Sequence, residues 1–195
     1  MRNDDVFLQL YLIRHAESMG NIETDESFDV MNPPLTLHGL MQASRLAERF
    51  KGIKIEKVYT SPLERAISTA LPVSENCSAE FVFDTDLVEK DVCISMKGFS
   101  LSYESDELCK QRAKKFINHI LKMHTDCAVA VVAHGEILQY LIREALGISD
   151  SDVKFCVYNT SVTKINFRKD KANKAAFIND ISHLISLDGD KTEWM

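Results

Sequence analysis

The sequence contains no apolar run long enough to cross a membrane, since a spanning helix needs roughly 18 apolar residues. Its longest strand-like apolar run, at 127–133, has seven residues. The first five residues are largely polar and the apolar run that follows is short, which does not fit a secretory signal peptide. The five cysteines are widely spaced without a Cys-x-x-Cys pair, as is typical of reduced cytosolic thiols. We therefore expect a cytoplasmic protein with no membrane partner.

The sequence also has little positive charge, with 23 lysines and arginines against 29 aspartates and glutamates and a formal net charge of -6. Such a chain has no general attraction for nucleic acid, so we expect no nucleic-acid partner. An anionic substrate would have to be held by a few placed cations. No His, Cys and Asp cluster has zinc-site spacing, and no Gly-Lys-Ser phosphate loop is present. The sequence therefore predicts no metal and no cofactor.

What the sequence does contain is the pattern of a globular domain, with 45% hydrophobic and 27% charged residues over 195 positions. Apolar runs predict strands, and apolar residues at helical spacing predict helices between them. The predicted strands are 7–13, 55–59, 80–83, 127–133, 153–158 and 161–167, and the predicted helices are 36–51, 61–71, 103–124 and 136–146. This alternation predicts an α/β fold, a three-layer α/β/α sandwich with a mostly parallel central sheet.

Local signals refine these boundaries. Thr36 is a suitable cap for the first helix, and Ser61 with Pro62 and Glu64 forms a capping-box start for the second. Pro72 predicts the end of that second helix. The stretch 84–102 has no clear periodicity, and we expect it to be irregular.

Two histidines directly follow predicted strands, His15 after the first strand and His134 after the strand at 127–133. Ligands of open α/β sheets bind beyond the carboxyl ends of strands, so both side chains can converge on one ligand. Either histidine alone is more simply a core or surface residue. Arg14 and Gly135 flank the pair and favour a site, because an arginine can bind phosphate in a forked manner. Arg65 can face the same strand ends, although a solvated helix arginine is its simpler interpretation.

Several segments then match the motifs of a known family. They are Leu12-Ile13-Arg14-His15-Ala16-Glu17-Ser18 with Asn21, Leu35-Thr36 with Gly39, Gln42 and Ala43, Ser61-Pro62-Leu63 with Arg65, Ala66, Thr69 and Ala70, Val132-Ala133-His134-Gly135, Asn159-Thr160-Ser161, and Asn179-Asp180 with His183-Leu184. In this order the chain resembles the histidine phosphatase superfamily, the phosphoglycerate mutase-like group with an Arg-His-Gly signature. The resemblance implies one domain over 1–195, with a small insertion at about 84–110 over the active site.

The resemblance also implies roles for individual residues. His15 would attack phosphorus and form a phosphohistidine. The residues that would bind the phosphoryl group or the substrate are Arg14, Asn21, Arg65, His134 and Gly135. Glu89 is placed where the family has its proton donor, although Asp84, Asp86 and Asp91 are nearby alternatives. The implied activity is metal-independent hydrolysis of small phosphate esters, by a monomer or a homodimer.

Two departures from the family pattern keep other functions open. Ala16 replaces the usual glycine after the nucleophile, and residues 90–98 lack the glycine and aromatic-Glu-Gly step that commonly follow the acid. One alternative is a phosphoglycerate mutase-type phosphotransferase, against which stand the short chain and the absence of a Tyr-Gly-x-Leu-type loop in 84–110. The other alternative is a catalytically inactive phosphate-binding regulatory module, which the altered loop after Glu89 permits.

An acidic segment follows the nucleophile motif. Its charged residues are Glu23, Asp25, Glu26 and Asp29. If they overhang the site, they disfavour highly charged bisphosphates and tolerate substrates with a neutral or cationic remainder. A solvated acidic loop is the simpler interpretation.

Overall fold

The computed structural model describes residues 5–23, 27–95, 97–149 and 153–185. In these ranges the helices are α1 Leu37–Phe50, α2 Glu64–Cys77, α3 Asp106–Met123 and α4 Gly135–Leu146. The strands are β1 Val6–Arg14, β2 Lys57–Thr60, β3 Glu80–Phe83, β4 Val92–Ser95, β5 Gly98–Leu101, β6 Cys127–Ala133, β7 Val162–Arg168 and β8 Lys174–Asp180. No described helix combines the length and the apolar content needed to span a bilayer.

Six of the described strands form the central sheet, in the order β3-β2-β6-β1-β7-β8. The first four are parallel to one another, whereas β7 is antiparallel to β1 and β8 is antiparallel to β7. The register between β1 and β6 pairs Arg14 with Ala133, the last residue of each strand. The carboxyl ends of these two strands therefore lie side by side.

Helices cover both faces of this sheet. Successive residues of a strand point to opposite sides, so one strand contributes side chains to both core clusters. Leu10 and Leu12 of β1 belong to the buried cluster that includes side chains of α3 and α4. Tyr11 and Ile13 belong to the other cluster, which includes side chains of α1 and α2. The predicted three-layer α/β/α sandwich with a mostly parallel sheet is confirmed.

The helix boundaries agree with the sequence signals at α1 and differ at α2. Thr36 caps α1, its Oγ1 accepting from the backbone N–H of Gly39 at 2.9 Å. The prediction that α2 starts at Ser61 and ends before Pro72 is wrong, since α2 runs from Glu64 to Cys77 with Pro72 inside it. A proline removes one helical hydrogen bond. The helix continues because Val73, immediately beyond Pro72, is fully buried in the core.

Three further boundaries also need correction. Residues 84–102 contain a hairpin of β4 and β5, in which Val92 pairs with Leu101. The helix predicted from residue 103 begins at Asp106, because Ser105 caps it. The described residues 153–158 form no strand, and the late antiparallel strands are β7 and β8. The edge strand β8 escaped prediction because only alternate residues along it are partly buried.

Candidate active site

The two histidines predicted from the strand ends lie together at the carboxyl edge of the sheet. His15 directly follows Arg14, the last residue of β1, and His134 directly follows Ala133, the last residue of β6. The backbone N–H of His15 donates to the carbonyl of Ala133 at 2.9 Å, and the ring centroids of His15 and His134 are 5.0 Å apart. Both side chains are buried. The parallel register therefore places two imidazoles from distant parts of the chain side by side.

The ring of His15 is oriented by a hydrogen bond of 2.7 Å between its Nδ1 and the carbonyl oxygen of Ala16. Because a carbonyl can only accept, Nδ1 carries the ring hydrogen. Burial lowers the pKa of His15 to about 3, and the charges of Arg65 and Arg14 act in the same direction. At neutral pH the ring is therefore uncharged with its lone pair on Nε2, the form that a histidine nucleophile needs.

The backbone around His15 is held by side chains from two other parts of the fold. The N–H of Ala16 donates to Oγ1 of Thr69 on α2 at 2.9 Å. The side-chain amide of Asn159 donates to the carbonyl oxygen of His15 at 2.9 Å. Thr69 and Asn159 belong to the motif segments that carry the family resemblance. In the structure both side chains satisfy backbone groups of the loop that carries the nucleophile.

The start of α1 packs against the same loop. The N–H of Glu17 donates to Oε1 of Gln42 at 2.8 Å, and its carbonyl accepts from the N–H of Thr36 at 3.1 Å. A Cβ at Gly39 would lie 1.9 Å from that carbonyl oxygen of Glu17. Only glycine therefore allows the helix to approach the loop this closely.

Arg14 and Arg65 bring positive charge to the strand ends. Nη1 of Arg14 donates to the carbonyl of Val157 at 2.8 Å, whereas its buried Nε has no partner among the described residues. Arg65 lies on the first turn of α2, and its buried Nη1 also finds no acceptor in the described chain. Buried N–H groups without partners cost free energy, so an anion that accepts from them is favoured here.

His134 is oriented by Ser61, for which the sequence pattern predicts only a helix cap. Oγ of Ser61 accepts from the N–H of Leu63 at 3.3 Å and lies 2.8 Å from Nε2 of His134. A hydroxyl hydrogen donated to Nε2 would place the ring hydrogen on Nδ1. Burial, aided by the neighbouring His15 and arginines, holds the pKa of His134 well below its usual value, so the ring is neutral. Its Nδ1 is buried without a partner in the described ranges.

Glu89 lies at the N-terminus of α4. Its carboxylate oxygens accept from the backbone N–H groups of Lys90 at 2.9 Å, Glu136 at 3.3 Å and Ile137 at 3.2 Å. Burial raises the pKa of Glu89 above its ordinary value, and these N–H groups oppose the shift. A carboxyl group in this state retains its proton to higher pH than an exposed one, as a general acid requires.

The three alternative acids are engaged elsewhere. Oδ1 of Asp84 accepts from the N–H of Asp86 at 2.8 Å, and the carboxylate of Asp86 forms an ion pair with a lysine of α3. Oδ1 of Asp91 accepts from the N–H of Glu104 at 2.6 Å. None of these three described aspartates lines the cleft into which Glu89 faces.

A cleft of about 200 Å³ lies at this edge of the sheet, and the predicted site residues His134 and Gly135 are not part of its lining. The predicted site residues that line it are Arg14, His15, Asn21, Arg65 and Glu89. The others in its lining are Ser18, Gly20, Val30, Met31, Pro33, Val92 and Leu101. His134 lies next to His15, and a Cβ at Gly135 would come within 3.9 Å of both Arg14 and Glu89. No sequence signal marks the apolar lining residues, because aliphatic side chains in loops carry no chemical signature.

In its described part, the acidic segment after the nucleophile motif adds no charged side chain to the lining of the cleft. Glu23 and Asp29 are exposed and do not belong to the lining of the cleft. Asp25 and Glu26 lie outside the described residues.

Among the described residues, one group of side chains has ligand atoms close enough to hold a metal ion, namely Glu56, His124 and Cys127 within 4.8 Å of one another. The group lies at the amino ends of β2 and β6, on the sheet edge opposite the cleft. Nδ1 of His124 bonds Oε1 of Glu56 at 2.7 Å, and its Nε2 bonds the hydroxyl of Tyr59 at 2.9 Å. The network is therefore hydrogen-bonded without an ion, and all five cysteines, each within the described residues, are free thiols.

A family model described as the histidine phosphatase superfamily (branch 1) matches residues 10–100 and 95–180. The chain belongs to the histidine phosphatase superfamily. The matched region contains the paired histidines, both cleft arginines and Glu89. The resemblance drawn from the motif segments is thereby confirmed for the family.

Individual relatives of this superfamily member are distant. A probable phosphatase of Schizosaccharomyces pombe is 29% identical over 167 residues, which cover 74% of this chain and 58% of that protein. A probable phosphoglycerate mutase GpmB of Salmonella paratyphi A is 24% identical over 91% of this chain and 95% of its own. The phosphoserine phosphatase of Entamoeba histolytica, solved with phosphoserine, has a TM-score of 0.69 at 19% identity over 91% of this chain and 99% of that one. These similarities support the shared fold and phosphoryl transfer of the histidine phosphatase type.

Proposed function

We propose that this protein is a phosphomonoesterase that hydrolyses small phosphate esters through a phosphohistidine on His15. One observation carries the proposal: Arg14 and Arg65 line the same cleft as His15, the ring of His134 lies against that of His15, and each of these three partners has a buried nitrogen without a hydrogen-bond partner in the described part of the chain. Such a set of donors fits the oxygens of a transferring phosphoryl group. Because these side chains supply the charge themselves, the proposed reaction needs no metal ion.

In the first step, Nε2 of His15 attacks phosphorus and a P–N bond forms. The bond between phosphorus and the ester oxygen breaks, and the electron pair leaves with that oxygen. Arg14, Arg65 and the Nδ1–H of His134 donate to the non-bridging oxygens as negative charge develops on them. Glu89 gives its proton to the departing oxygen, so the product is a neutral alcohol.

In the second step, water attacks the phosphohistidine. The Glu89 carboxylate accepts a proton from that water, a new P–O bond forms and the P–N bond breaks. Inorganic phosphate is released, and His15 returns to its neutral form with the lone pair on Nε2. The three backbone N–H groups that bond Glu89 stabilise its carboxylate between the two steps.

The role of Glu89 predicts a dependence on the leaving group. Glu89→Gln is expected to lower kcat/KM for an alkyl phosphate by about 10²–10³-fold, because an alkoxide leaves poorly without a proton. With a p-nitrophenyl phosphate the loss at the first step is expected to be small. For the wild type, kcat/KM on the alkyl ester should fall as pH rises through the raised pKa of Glu89, since the acid form is lost.

Asp91→Asn is the matched control, because Asp91 accepts a backbone hydrogen bond outside the cleft and asparagine can accept the same bond. An equal loss of kcat/KM in both variants, or an equal loss of kcat/KM for good and poor leaving groups in Glu89→Gln, would assign the proton donation to another group, since kcat also contains the attack of water that Glu89 assists.

The reaction class is tested by product analysis with a chelator present. We expect p-nitrophenyl phosphate and simple alkyl phosphates to release inorganic phosphate at an unchanged rate in EDTA. A phosphoglycerate mutase instead predicts isomerisation of 3-phosphoglycerate primed by a bisphosphate, a candidate supported by the GpmB similarity. An inactive module predicts phosphate binding without turnover. Loss of hydrolysis in EDTA that returns with a divalent cation would overturn the metal-free reaction.

We also propose that residues 84–110 form the insertion over the cleft within one domain. The supporting observation is that Val92 and Leu101, which pair across the hairpin of β4 and β5, both line the cleft.

A further inference from the structure

Exposed aliphatic side chains stand beside the cleft. Five aliphatic residues from two separate segments contribute to its lining, namely Val30, Met31, Pro33, Val92 and Leu101. Val30 is 79% exposed and Leu101 is 72% exposed, so both present large aliphatic surfaces to solvent beside a phosphate-binding group. An apolar ligand group that covered them would be stabilised by about 25 cal/mol for each Å² removed from water.

The charges of the cleft are concentrated at its floor. Among the described residues in the lining, the cationic side chains are Arg14 and Arg65, and the remaining charged side chain is Glu89. Both arginines line the cleft together with His15, where the phosphoryl group would bind, and each has a buried N–H group without an acceptor in the described chain. The polar lining residues Ser18 and Asn21 bond one another, Oδ1 of Asn21 accepting from Ser18. No further cation of the described lining is left for a carboxylate on the substrate.

We infer that the site prefers phosphate monoesters whose alcohol carries an uncharged apolar group, and that it discriminates against alcohols carrying a carboxylate. This inference rests on the proposed phosphatase activity and adds the substrate class. An apolar group gains by contact with the aliphatic side chains of the lining. A carboxylate there would lose water without gaining a cation, and it would face the Glu89 carboxylate after proton transfer.

The inference is tested with two substrates of nearly equal size and leaving-group acidity, 4-propylphenyl phosphate and 4-(2-carboxyethyl)phenyl phosphate. At pH 7 we expect kcat/KM to be at least about 10-fold higher for the propyl compound, mainly through a lower KM. A tenfold ratio requires a difference of only about 1.4 kcal/mol in binding free energy. Phosphoserine and 3-phosphoglycerate should likewise be poorer substrates than butyl phosphate. Equal values, or a preference for the carboxylate, would overturn the inference.

A charge placed among these aliphatic side chains should reverse this preference. Leu101→Lys is expected to lower the ratio of the two kcat/KM values by about 10-fold or more, because the ammonium pairs with the carboxylate and disrupts the apolar contact. Leu101→Ser should lower the ratio less, through loss of apolar surface alone. Leu108→Lys is the control, since Leu108 is 50% exposed on α3 and does not line the cleft.

The outcomes separate the two proposals. If neither aryl phosphate releases phosphate while the protein is folded, the phosphatase activity itself is wrong. If both are hydrolysed and Leu101→Lys changes the ratio no more than Leu108→Lys does, the activity stands and the aliphatic lining does not determine the substrate.

Discussion

The variant His15→Ala is expected to lose hydrolysis of p-nitrophenyl phosphate by about 10⁴-fold or more, because it lacks the side chain proposed to form the covalent intermediate. The neighbouring ring of His134 does not replace it, since its Nε2 is bonded to Ser61. Stopped-flow measurement of nitrophenolate release and intact-mass detection of the phosphorylated enzyme after an alkaline quench provide the readout. The wild type should gain one phosphoryl group, and the variant none.

His119→Ala serves as the control, because His119 is an exposed residue of α3 that does not line the cleft. Far-ultraviolet circular dichroism of both variants establishes that they are folded. Substantial turnover by folded His15→Ala, or a phosphoryl group that remains attached to it, would remove His15 from the mechanism.

The second large effect is expected at Gly39, which takes no part in the proposed proton or phosphoryl transfer. Gly39→Ala should lower the free energy of unfolding by about 3 kcal/mol, because the added methyl group meets backbone rather than a flexible side chain. The 1.9 Å separation from the Glu17 carbonyl can be relieved only by moving α1 or the loop after His15. Activity should therefore fall together with stability. Urea unfolding followed by fluorescence measures the change.

Leu40→Ala, at the next position of the same helix, provides a matched comparison. Leu40 is half-exposed, and its truncation should change the free energy of unfolding by no more than about 0.5–1 kcal/mol. If Gly39→Ala is as stable as Leu40→Ala, the contact between α1 and the nucleophile loop is looser than the structure indicates.

Local pattern alone predicts several parts of the molecule. The apolar runs at β1 and β6 identify buried parallel strands, and the residues after them, His15 and His134, are then placed at one sheet edge by the general geometry of such folds. Thr36 is recognisable as a cap because capping is a contact within one turn. These features need no knowledge of the tertiary structure.

What could not be predicted depends on contacts between distant segments. Ser61 has the pattern of a helix cap, yet His134 lies within hydrogen-bonding distance of its hydroxyl, and the helix begins later. Pro72 has the pattern of a helix end, yet burial of the following turn carries the helix past it. Val30 and Leu101 are ordinary aliphatic residues in sequence, and only the fold brings them to the same cleft.

The strand register that pairs Arg14 with Ala133 implies that the central and the peripheral parts of the site differ in how much sequence change they tolerate. Arg14, His15 and His134, three of the groups proposed to carry out chemistry, lie at the ends of the innermost strands β1 and β6, where a shift of register would disrupt the core itself. The groups proposed to select the alcohol lie on a short hairpin and a loop at the periphery. New substrates can thus be acquired by exchanging a few peripheral side chains, while the phosphoryl-transfer machinery is inherited unaltered.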